Sequence, residues 1–141
     1  MRLLDQAESL KTPIVILRAS GAVEIEEMKP DSIERGVGGW FERVEIRMGA
    51  DLWCNETGRL QRLFPNWIAS KLVEDFSRAS FFGSAIDCIP MVGDCVVTGG
   101  GAEPMACPMP VIARIVQLRS LIDGDRSVFE TLETLRKEAR R

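Results

Sequence analysis

The sequence contains no histidine and no C-x-x-C pair. Without imidazole the usual mixed zinc sites are excluded, and so is the one side chain that titrates near neutrality unaided. Acid–base chemistry at neutral pH would need a carboxylate, lysine or cysteine with a strongly shifted pKa. The four cysteines, Cys54, Cys88, Cys95 and Cys107, lack the close spacing of metal ligands and read as buried free thiols in a reducing, cytoplasmic setting. No metal and no cofactor is expected. Nowhere do about eighteen apolar residues run together, and the acidic N-terminus "MRLLDQAESLKTPIVIL" breaks the apolar core a signal peptide needs. No membrane role is expected. Positive charge is also short: the net charge is -3, so phosphate neutralisation offers no general route to nucleic acid, and none is expected as a partner. There is no internal repeat and no low-complexity segment.

What is present fits one ordinary core: 141 residues, 45% hydrophobic and 28% charged. Residues 1–12 read as an N-terminal arm or short helix. Residues 13–100 read as an α+β domain, with an antiparallel or mixed sheet of about five strands covered on one face by helices. The β-branched run Ile14 to Leu17 reads as a central strand, and Ser20-Gly21 turns it back into Val23 and Ile25. "KPDSIERGVGG" suits a short helix stopped by glycine, and "FERVEIRM" alternates like a half-buried strand. "DLWCNETGRLQRLF" reads as a second hairpin around Asn55 to Gly58. Asn66 is placed to cap a helix whose buried side carries Ile68, Leu72 and Phe76.

Residues 101–141 read as a proline-rich linker followed by a helical hairpin. Val111, Ile115, Leu118 and Ile122 form one stripe, and Val128, Leu132 and Leu135 a second. Such stripes pack on the sheet or on another copy of the chain, giving a homo-oligomer. Pro104, Pro108 and Pro110 keep the linker extended.

Three consecutive glycines, Gly99, Gly100 and Gly101, follow an apolar run and raise the question of a phosphate cradle. A P-loop continues into Lys and Ser or Thr at a helix start. Here Ala102, Glu103 and Pro104 follow, so the segment reads as a flexible loop, with a backbone anion nest as the minor reading.

The order "GVGGWFERVEI", "CNETGRLQRLFPNWIASKL", "IPMVGDCVVTG" resembles the small phage- and plasmid-borne proteins of domain-of-unknown-function family 3846. The shared features fall on Val37, Gly38 and Gly39, on Asn55 and Gly58, on Pro65 and Asn66, and on Gly93 and Asp94. The likeness covers about residues 14–99 and leaves the segment from Gly100 onward outside. It implies a phage or mobile genetic element, a host-cell cytoplasmic setting and an uncharacterised activity, and it supplies no catalytic residue.

The candidate binding residues are therefore Gly38, Gly39, Trp40, Trp53, Asn55, Asn66, Gly99, Gly100 and Gly101, with no catalytic set. Trp40 and Trp53 are stacking surfaces or core; Asn55 and Asn66 are ligands' partners or turn and cap residues. The expected function is an accessory protein that acts by binding, either blocking a host protein through the C-terminal helices or sequestering a nucleotide-like signal near Gly39, Trp40 or the glycine run. A nucleotide-cleaving enzyme using Asp94 and a self-assembling structural protein are the alternatives.

Overall fold

A computed structural model of the chain describes residues 2–58, 60–76 and 91–124. The elements run α1 (Leu3–Glu8), β1 (Pro13–Leu17), β2 (Val23–Glu27), α2 (Ser32–Val37), β3 (Phe41–Ile46), β4 (Ala50–Asn55), α3 (Trp67–Phe76), β5 (Cys95–Gly99) and α4 (Met109–Gly124). The five strands form one sheet in the order β2-β1-β5-β4-β3, antiparallel throughout. β5, the last of the described strands in chain order, is thus the middle one. All five of its residues are buried, which is why "CVVTG" carries no polar alternation beyond Thr98.

Strand alternation sorts the apolar residues onto two faces. Val15, Leu17, Leu52, Cys95 and Val97 point to a large core shared with Ile68 and Leu72 of α3 and Val111, Ile115, Leu118 and Ile122 of α4. Ile14, Ile16 and Val96 point the other way, against Ile33 and Val37 of α2. The expectation of helices on one face is therefore incomplete: α2 covers part of the second. It packs so closely that a Cβ on Gly36 would overlap the Val96 side chain.

The α4 stripe is core within the chain. Its four apolar residues are at most 6% exposed, and burying each contributes about 1.5–3 kcal/mol. The surface expected there for a second copy is already covered by the sheet and α3. Helix α4 starts at Met109, so Pro110 sits in the first turn, where its missing N–H would have had no helical partner anyway. Val128, Leu132 and Leu135 lie outside the described residues, as do Asp87, Cys88 and the side chain of Phe76. No helix among the described residues is long and apolar enough to cross a membrane.

One turn differs from expectation. The hairpin is β3–β4, closed by a turn at 47–49 in which Met48 (φ 71°) and Gly49 (φ 70°) are left-handed. The sequence offers only one glycine there, and methionine rarely takes that conformation, so the Asn-x-x-Gly pattern at 55–58 drew the turn instead. Asn55 to Gly58 is the exit from β4.

Candidate functional site

The two ends of the sheet hold the candidate residues, and they are built differently. At the end where β1 finishes and β5 begins, three side-chain amides and carboxylates tie distant segments together. Asn66, 1% exposed, caps α3 by accepting from the Ala69 N–H (3.1 Å). Its Nδ2 donates to the carbonyls of Leu17 (2.8 Å) and Gly93 (2.9 Å). Asn55 donates from Nδ2 to the Val37 carbonyl (3.2 Å) and accepts from the Thr57 N–H (2.9 Å) through Oδ1. Asp94 accepts from the Ala19 N–H (2.8 Å) and from the Arg18 guanidinium (3.0 Å), which also pairs with Glu24.

Two glycines make this corner possible. Gly38 terminates α2 in the left-handed conformation, φ 79°. Gly93, φ 75°, lies so near Leu63 that a Cβ would sit 2.7 Å from its Cδ1. Together with Arg18, Arg35 and Asn55 they line a shallow cleft of about 280 Å³. Its charges are already matched, because Arg18 pairs with Asp94 and Arg35 with Glu26 at 2.7 Å. The corner is scaffold. Asp94, the acid considered for catalysis, is held by Ala19 and Arg18. Its neighbour Cys95 is fully buried, and burial pushes that thiol far above its ordinary value. Cys107 is pushed up to about 12 for the same reason, and Cys54 is buried too. Burial thus makes Cys95 and Cys107 poor nucleophiles, because the reactive thiolate is disfavoured at both.

The opposite end holds the glycine run. Gly99 donates to the Met105 carbonyl (2.7 Å), and Gly100 donates to the Gly49 carbonyl (2.8 Å). Two of the three amides are therefore committed within the chain, and an anion nest loses the donors it requires. A Cβ on Gly99 would overlap the Ala106 carbonyl oxygen. The run is a close-packed clamp between β5, the 47–49 turn and the 105–106 segment, where the sequence suggested a slack loop.

Beside this clamp opens a groove of about 690 Å³, walled by Arg43, Arg47 and Met48 on one side and by Gly100 and Gly101 on the other. Asp51 lines it and is only 3% exposed. Its ion-pair partner among the described residues, Arg43, stands at 3.8 Å, beyond hydrogen-bond reach, and is itself half exposed. Directly opposite Asp51 in the β3–β4 register lies a second carboxylate, Glu45. Burial pushes the Asp51 carboxyl above the ordinary aspartate value; Arg43 pulls it down, and Glu45 adds to the rise.

The candidate residues thus do not form one site. Gly38, Gly39 and Asn55 sit together at the corner, where a Cβ on Gly39 would lie 3.6 Å from the Asn55 amide, and Asn66 holds the corner from within the core. Gly99, Gly100 and Gly101 belong to the far end. Trp53 is packed between them on the α2 face: its Nε1 donates to Thr98 Oγ1 (2.9 Å) and its ring meets Phe41 edge-on at 5.4 Å. Trp40 is 82% exposed and lines neither cavity. The residues that sequence reasoning missed are Asp51, Arg43 and Arg47. Their signal was available only through the hairpin register, which places Asp51 and Glu45 side by side.

A family profile described as a domain of unknown function, DUF3846, matches residues 11–119, and the chain belongs to that family. The match reaches into α4, so residues 100–119 lie inside the family's span, beyond the narrower likeness read from the motifs. No curated protein and no solved structure matches the chain.

Proposed function

We propose that this DUF3846 protein acts by binding a small nucleotide-like molecule in the groove at the glycine end of the sheet, without chemical turnover. The observation that carries the reading is Asp51, a buried carboxylate facing a like charge and only loosely met by Arg43. Like charges directly opposite on a sheet destabilise it, and strain of that kind is kept where a ligand relieves it. A carboxylate in this position accepts paired N–H groups of the kind a guanine-type base presents, while the arginines on the groove wall favour phosphate. Gly100 and Gly101 leave room for a flat ring against the backbone. In this reading the protein serves a phage or mobile genetic element by sequestering such a signal in the host cytoplasm.

The test is calorimetric titration of the full chain with a panel of mono-, di- and cyclic nucleotides, with the recovered ligand checked for cleavage. Expected is saturable binding of a guanine-type nucleotide recovered intact, reduced at least about ten-fold by Asp51→Asn, a loss typical of one charge-assisted contact. Binding of none of the panel, unchanged binding by the variant, or cleavage of the nucleotide would each overturn the reading.

A further inference from the structure

The outer edge of the sheet at β3 has the chemistry of a surface that pairs with its own copy. β3 is the terminal strand among the described residues. The Glu56 N–H donates to the Trp40 carbonyl, so the backbone of Trp40 faces β4. By strand alternation the N–H and C=O groups of Phe41, Arg43 and Glu45 then face the open side. An edge is usually blunted by charged side chains, which repel a like-charged neighbour, or by proline. This one has no proline and alternates its signs: Glu42, Arg43, Glu45 and Arg47.

We infer that two copies of this chain join β3 to β3 antiparallel, with Val44 of one copy opposite Val44 of the other and the sheets continuous across the junction. In that register each outward-facing Arg43 meets a Glu45, twice by symmetry, and the same backbone positions make the hydrogen bonds. Sliding by two residues either way sets Arg43 against Arg43 or Glu45 against Glu45, which singles the register out. Extended, it brings Phe41 towards Arg47 and Trp40 towards Met48. These are contacts of the cation–π and sulfur–aromatic kind. They also cover large apolar side chains that the single chain leaves exposed, Trp40 at 82% and Met48 at 53%.

The pairing also accounts for Glu45. Within the described residues no ion pair reaches its carboxylate, while Asp51 opposes it from β4. An arginine from the second copy supplies the missing countercharge on the other side. The interface shares Arg43, Glu45, Arg47 and Met48 with the groove wall, so the mass of the assembly is read without ligand.

The experiment is sedimentation equilibrium on the full chain, its Arg43→Glu and Glu45→Arg variants, and the double charge swap. Expected is a two-chain mass for the parent, a dissociation constant raised at least about ten-fold in each single variant, and recovery in the swap, since each single variant sets like charges against one another across the interface. Because Arg43 also stands near Asp51, Trp40→Ala serves as a second variant whose fold is insulated by exposure. It too is expected to weaken the dimer. A one-chain parent at high micromolar concentration, an assembly larger than two chains, or a dimer indifferent to Arg43→Glu would overturn the inference.

Discussion

The corner and the glycine end terminate the same strands, yet they resolve buried polarity in opposite ways. At the corner Asn55, Asn66 and Asp94 each meet partners within 3.2 Å. At the glycine end the backbone is as tightly held, through Gly99 to Met105 and Gly100 to Gly49, but the carboxylate it surrounds is not. Rigid backbone around a loosely compensated charge is what a preorganised site requires.

The contrast is sharpest at Asn66. Asn66→Ala removes the α3 cap and the amide donor shared by the carbonyls of Leu17 and Gly93 in the core, at a cost of about 2–4 kcal/mol. Urea denaturation measures it, and a loss under 1 kcal/mol, the size of one ordinary hydrogen bond, would show that water substitutes freely at the corner. Gly99→Ala is next, expected to cost about 1–3 kcal/mol because the added methyl overlaps the Ala106 carbonyl. A neutral result would mean that the clamp is slack after all.

How much of this was readable follows from the range of the interactions. Local signals gave the short helix stopped at Gly38, the Asn66 cap and the β1–β2 turn, because each depends on residues within a few positions. The placement of β5 between β1 and β4 depends on pairings more than forty residues apart, such as Leu52 with Val97, and no local pattern encodes it. Asp51 was invisible for the same reason. Its meaning comes from Glu45 across the hairpin, and the left-handed Met48 hid that hairpin's turn.

Smaller in size but opposite in sign is Asp51→Asn. Removing the like-charge pair is expected to stabilise the protein by roughly 0.2–1 kcal/mol at neutral pH. The pH dependence follows from the raised carboxyl. The folded state holds this proton more tightly than the unfolded one, so the parent loses stability as pH rises from the ordinary aspartate range through the higher folded value. In Asp51→Asn that part of the slope disappears. A parent whose stability is flat or rising across that window would contradict the assigned cause. Trp40→Ala, on a side chain that touches little in the single chain, is expected to change monomer stability by less than about 0.5 kcal/mol.

The most direct test of the division between scaffold and site is urea denaturation of Asp51→Asn beside its parent at neutral pH. The account predicts a variant at least as stable as the parent, because Asp51 is held at the expense of the fold. A variant destabilised to the degree of Asn66→Ala would make Asp51 one more structural tie and remove the glycine end as the working site.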